Sequence, residues 1–235
     1  MRERSLIVAE IVLISLIGGF ISIDRTAAFQ IMISRPVVTS PLIGMMLGDV
    51  MTGIQAGLII ELLWIGALPV GASVPPDETI VSILVPSLAI WQSRIIGGES
   101  FQTLAFALVL TIPLAMLARR LDSRIREKNI ASAHAADRFV QEGSMEGVGR
   151  ECLSGLKRFY FAYSLLIFIS LITGAALFPF LYSLLPPFFL KGLERLFYLL
   201  PVIGLASLMV STRVKNSLKF FFLSFTLVFS LFEVF

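Results

Sequence analysis

Four carboxylates lie in apolar stretches of this chain: Glu10, Asp49, Glu61 and Asp77. A charge at the centre of a bilayer costs at least about 2.5–3.5 kcal/mol on insertion scales, so each needs a partner or a function. Glu61 sits in the run Leu58-Ile59-Ile60-Glu61-Leu62-Leu63-Trp64. There it can accept hydrogen bonds from a polar solute such as a sugar hydroxyl, with Trp64 one turn on as a stacking surface. Equally, it can be a protonated or paired structural carboxylate. Asp49 follows Gly48 and precedes Thr52-Gly53, the pattern of a helix N-cap. Glu10 has two basic residues it could pair with, Arg35 or Arg94.

Asp77 and Glu78 follow Pro75-Pro76 and precede the apolar run Ile80–Ile83. Asp before such a run is an N-cap signal, and the prolines set the entry of the chain. A capping role and a ligand role are compatible at the tip of a hairpin. Asp24, Arg25, Gln30 and Arg35 form a polar linker after the first apolar segment, which alone would read as an interfacial turn.

Catalytic constellations are absent from the sequence. The single histidine, His134, lies in a polar insert with no carboxylate or cysteine arrangement that suggests a metal site or a triad. There is no Gly-x-x-x-x-Gly-Lys-[Ser/Thr] element for nucleotide hydrolysis. The single cysteine, Cys152, has no partner for an intramolecular disulfide. No catalytic residue, metal ion or cofactor is expected, and a membrane protein of this kind borrows its energy source from partner subunits.

The elements that must position the carboxylates follow from composition. Of 235 residues, 57% are hydrophobic and 15% are charged, with 20 phenylalanines and a mean hydropathy of +0.90. Soluble domains average about 45–50% apolar and about 25% charged residues, so this chain cannot hide its apolar surface in water. It reads as an all-α integral membrane protein with room for about six to eight apolar segments of about 20 residues. The N-terminus resembles a signal peptide, but its apolar run from Leu6 to Ile23 carries Glu10 and is too long. It is expected to remain as a membrane segment.

Two apolar blocks flank one polar insert. Residues 1–118 form the first membrane block, 119–158 a helical loop, and 159–235 a second block of about three spans. Nine of the 19 Lys and Arg lie between Arg119 and Arg158, together with six of the 16 acids. That bias marks a cytoplasmic loop rather than a nucleic-acid groove. The turn with Arg213, Lys215 and Lys219 is then also inside, and the turn with Lys191, Glu194 and Arg195 outside. Between Arg35 and Pro76 lie five prolines and six glycines. In hydrocarbon, freed backbone groups cost several kcal/mol each unless protein or a wet cavity satisfies them. This stretch is predicted to form re-entrant or broken helical hairpins beside a site, as in secondary transporters. Gly44-x-x-x-Gly48 and Gly53-x-x-x-Gly57 also fit simple close helix packing.

One ordered run carries a family resemblance: Arg35-Pro36-Val37-Val38, Pro41-Leu42-Ile43-Gly44, Leu47-Gly48-Asp49, Thr52-Gly53, Glu61-Leu62, Pro69-Val70-Gly71-Ala72 and Pro75-Pro76-Asp77. It resembles the IIC membrane subunit of the mannose/fructose/sorbose class of the bacterial phosphotransferase system. The resemblance implies inverted repeats with re-entrant hairpins, and a multi-pass location in the inner membrane. It further implies an oligomeric permease that passes a hexose inward with a IID membrane subunit, while cytoplasmic IIA and IIB subunits phosphorylate the sugar. IIC carries no phosphohistidine, which agrees with a lone histidine in the insert. Carried over by motif, Glu61 and Asp77 are the first candidates for sugar contact, with Asp24 and Gln30 behind them. The competing expectation is a membrane binding or regulatory subunit that does not transport.

Overall fold

The computed structural model describes residues 2–67, 74–95, 100–211, 219 and 221–226. The Pro69-to-Ala72 motif, the turn with Arg213 and Lys215, and most of the last apolar run lie outside them. Every regular element among the described residues is a helix: α1 (Arg2–Thr26), α2 (Pro36–Met46), α3 (Val50–Trp64), α4 (Glu78–Ile95), α5 (Ser100–Gln141), α6 (Met145–Ser183) and α7 (Pro187–Ser211). Four of them, α1, α5, α6 and α7, are long and apolar enough to cross a membrane.

At the centre lies α4, buried without a break from Thr79 to Gln92. It packs on α1, α2, α3, α5 and α6. A helix that is apolar on all sides belongs inside a bundle, and neighbours enclose this one. The large apolar side chains on the outside, such as Leu13 and Phe20 of α1 or Leu165 and Ile169 of α6, are exposed. In a bilayer that exposure carries no penalty, because lipid tails are as apolar as leucine.

Helices α2 and α3 have 11 and 15 residues. At 1.5 Å per residue they reach about 16 and 22 Å, short of the roughly 30 Å hydrocarbon core. They form an antiparallel hairpin whose turn passes through Gly48, with φ +78°, a conformation in which glycine meets no Cβ clash. The two helices touch backbone to backbone: a Cβ on Gly53 would lie 2.5 Å from the Ser40 carbonyl oxygen. Gly44, Gly53 and Gly57 are therefore packing residues, while Pro41 lies within α2. Pro36 opens α2 at a position where no N–H is needed.

Helices α5 and α6 have 42 and 39 residues, about 63 and 58 Å, so both run far beyond a bilayer. The polar insert is thus not a separate loop. It is the continuation of two spanning helices into an antiparallel stalk, because residues rich in Ala, Glu, Arg and Lys favour helix regardless of solvent. The stalk turns at Gly143, φ +73°, where the Ser144 N–H donates to the Phe139 carbonyl at 2.8 Å. Ser144 then caps α6 by accepting from the Gly147 N–H. Likewise, Lys191, Glu194 and Arg195 lie within the first turns of α7 rather than in a turn before it.

The Asp77 N–H donates to the Ala115 carbonyl at 3.1 Å. This places the start of α4 beside the point where α5 leaves its apolar stretch, so α4 starts at the stalk end of the bundle. The C-terminal ends of α1 and α3 and the start of α2 gather there too. The start of α1, the hairpin turn and the end of α4 lie at the opposite end.

Candidate functional site

At the stalk end, two of the four sequence-predicted residues, Asp24 and Asp77, belong to one polar network, and Glu61 and Gln30 stand beside it with partners of their own. Asp24, in the last turn of α1, accepts from the Ile31 N–H at 2.8 Å, the Ser34 N–H at 3.1 Å and the Ser34 hydroxyl at 3.1 Å. These bonds pin the linker between α1 and α2. Within it, Phe29, Gln30 and Met32 hold positive φ values of 67°, 54° and 68°. Side chains other than glycine pay about 1–2 kcal/mol in that region, and such strain gathers at ligand clamps.

The linker is joined to α4 through Ser34, whose carbonyl accepts from the Thr79 hydroxyl at 3.2 Å. Asp77 caps α4: its Oδ1 accepts from the Thr79 and Ile80 N–H groups at 3.0 and 3.2 Å. Its Oδ2 meets Arg25 of α1 at 3.2 Å and the Tyr163 hydroxyl of α6 at 2.8 Å. Arg25 also reaches Glu78 at 3.2 Å and the Pro75 carbonyl at 3.4 Å. Asp77 is fully enclosed, at 0% exposure. With four donors on two oxygens it is saturated, and it closes α1, α4 and α6 against one another.

Glu61 stands on the accessible side. It forms an ion pair with Arg35, the residue that precedes α2, and its second oxygen accepts from the Val37 N–H at 3.3 Å. The two side chains remain partly exposed, at 17% for Glu61 and 30% for Arg35. One turn on, the Trp64 Nε1–H donates to the Pro76 carbonyl at 3.2 Å, which ties the end of α3 to the segment before α4. Gln30 is exposed and makes one weak bond, from Nε2 to the Thr26 carbonyl at 3.3 Å. Beside the linker, a cavity of about 360 Å3 opens between Ala27 and the stalk residues Ser132 and Cys152.

Two carboxylates lie apart from this network. Asp49 caps α3, accepting from the Thr52 N–H at 3.0 Å and its hydroxyl at 2.6 Å. Glu10 pairs with Arg94 at 2.9 Å, of the two partners the sequence allowed, and accepts from Trp91 Nε1–H at 2.7 Å. Arg94 also donates to the Leu47 carbonyl of the hairpin turn. This cluster holds the far end of α1, α4 and the hairpin together.

Sequence reading missed Tyr163 and the central place of Arg25. One signal was available: a tyrosine inside a buried run needs a partner for its hydroxyl. The chemistry the network offers is hydrogen bonding and charge. Among the described residues, no group of three or more His, Cys, Asp or Glu side chains could hold a metal ion.

Comparison with known proteins agrees with this architecture. The family model described as the PTS system sorbose-specific IIC component matches residues 8–233. The chain is 28% identical over 193 residues to the PTS system sorbose-specific EIIC component of Klebsiella pneumoniae, covering 81% of this chain and 69% of that one. It is 27% identical over 228 residues to the PTS system mannose-specific EIIC component of Escherichia coli (strain K12), covering 96% and 80%. A solved structure of the mannose transporter ManYZ with microcin E492 shares the fold, with a TM-score of 0.61, 24% identity and coverage of 94% of this chain and 85% of that one. With a family model that accounts for nearly every residue, and a bundle of membrane-length helices around a short hairpin, the chain belongs to the sorbose/mannose class of phosphotransferase-system IIC components, the membrane-embedded sugar permease subunits.

Proposed function

We propose that this chain binds a hexose at the stalk end of its helical hairpin and passes it across the bacterial inner membrane together with a IID subunit. IIA and IIB subunits supply the phosphoryl group. The observation that carries this reading is the half-open Glu61–Arg35 pair, set beside a strained linker and above a buried, saturated scaffold. A carboxylate and a guanidinium side by side offer acceptors and donors at the spacing of neighbouring sugar hydroxyls, and charge-assisted bonds are the strong ones. The Gln30 amide can both donate and accept, and only one weak bond engages it.

The four candidates take different roles in this reading. Glu61 and Gln30 touch the sugar. Asp24 and Asp77 are positioning residues, because one holds the linker and the other the start of α4. Movement of the short hairpin against the rest of the bundle would alternate access, as in transporters with discontinuous helices. The basic stalk faces the cytoplasm. The hairpin then enters from the cytoplasmic side, and the N-terminal end of α1 lies on the outer side.

The test is uptake and sugar-dependent phosphoenolpyruvate consumption over a panel of hexoses, with IIA, IIB and IID supplied. Losing a charge-assisted hydrogen bond is worth about 1.5–3 kcal/mol, so Glu61→Gln should weaken apparent sugar affinity roughly ten- to a hundredfold. Membrane insertion and co-purification with IID should be unchanged. Uptake by the variant at the unmodified rate and affinity would remove Glu61 from the site.

A further inference from the structure

We infer that the groove between α5 and α6 at the base of the stalk holds the head group of one anionic phospholipid from the leaflet on that side. The groove has a cavity of about 540 Å3, with Arg124, Lys128 and Arg158 around it, one acid, Glu127, and an apolar floor of Leu121, Ile125 and Ala162. A second cavity of about 440 Å3 shares Arg158 and adds Arg150 and Lys157. Positive charge therefore dominates a concave surface rather than a flat one.

Three features point to a lipid. Arg120, Arg124 and Lys128 recur every four residues, so they form one stripe on α5. Among the described residues, no carboxylate oxygen lies within 4 Å of the Arg124 or Lys128 nitrogens, although carboxylates pair with Arg126 and Arg150 in the same stalk. Arg158 is held ready: one nitrogen, Nη1, donates to Asn129 Oδ1 at 3.0 Å and Ser132 Oγ at 2.8 Å, which orients the guanidinium and leaves its other N–H groups open. The third feature is position. The floor of the groove continues into the lipid-facing belt, where Leu117, Phe161 and Leu165 are exposed. A phosphate in the groove thus has acyl chains directly beneath it. The acidic surface of a soluble protein would gain nothing from that belt, whereas basic pockets between spanning helices on the cytoplasmic side suit anionic head groups.

This inference needs only the membrane reading and is independent of the sugar site. The full-length chain, delipidated in detergent, is titrated with phosphatidylglycerol, with phosphatidylcholine of the same acyl chains, and with inorganic phosphate. Bound lipid is counted by native mass spectrometry. One phosphatidylglycerol should be retained, at least about tenfold tighter than phosphatidylcholine, and each lost basic residue should weaken it roughly fivefold. Arg124→Gln with Lys128→Gln should erase the preference, while Arg138→Gln near the stalk tip should leave it intact. Both groove positions are exposed, so lipid-free melting temperatures should match the unmodified chain. Equal retention of the two lipids, or an unchanged preference in the double variant, would overturn the inference. So would full competition by inorganic phosphate at the lipid's own concentration. A double variant that keeps the lipid but no longer captures the soluble phosphocarrier subunits would overturn it as well, and would make the groove a protein-docking surface.

Discussion

The Ser40 hydroxyl on the hairpin donates to the Ser82 carbonyl of the central helix at 2.8 Å. That carbonyl is free because Pro86, four residues on within α4, has no N–H to offer it. In a dry interior an unmade backbone bond is costly, so the proline within α4 creates the acceptor on which α2 docks. The proline in α4 and the docking of the hairpin are one device.

This pairing predicts a double-mutant cycle. Ser40→Ala should destabilise the chain by about 1–3 kcal/mol, the cost of stranding a buried acceptor. Pro86→Ala restores an N–H to the Ser82 carbonyl, so Ser40→Ala in that background should cost clearly less. Unfolding in mixed detergent, followed by circular dichroism, measures all four corners. Equal cost in both backgrounds would show that Ser40 acts in some other way.

Buried charge makes a second prediction. Tyr163→Phe removes one of four donors to Asp77 and should lower stability by about 1–3 kcal/mol. Asp77→Ala strips Arg25 of one of its two carboxylate partners, both at 3.2 Å, in a nearly closed site where its side chain is 8% exposed, and should cost more, about 3–5 kcal/mol. Melting temperatures in detergent would rank the two variants. An Asp77→Ala protein as stable as the parent would show that this carboxylate does not lock α1, α4 and α6 together.

Sidedness can be read from the lone cysteine. Cys152 is exposed on the stalk and is the only thiol in the chain. If the stalk is cytoplasmic, a membrane-impermeant maleimide should label inverted vesicles and leave intact right-side-out cells unlabelled. Cys152→Ser supplies the blank. Labelling from outside intact cells would invert the topology, and with it the side from which the hairpin enters.

Much of this protein is legible in its sequence because the relevant physics is local or cumulative. Hydropathy sums over many residues, and it placed the chain in a membrane. Pro36, Gly48 and the crowd of glycines around them act within a turn or two, and they announced a hairpin too short to span. The caps at Asp49 and Asp77 are likewise decided by residues two or three positions away. What could not be read is which distant partner each buried charge finds. Arg35 and Arg94 were equal candidates for Glu10, and only the docking of α1 on α4 gave Arg94 to it and left Arg35 for Glu61. Tyr163 stands 86 residues from the Asp77 it serves, a separation no local rule reaches. Helix propensity and hydropathy depend on neighbours along the chain. Charge pairing depends on which helix faces meet, and the packing of the whole bundle decides that.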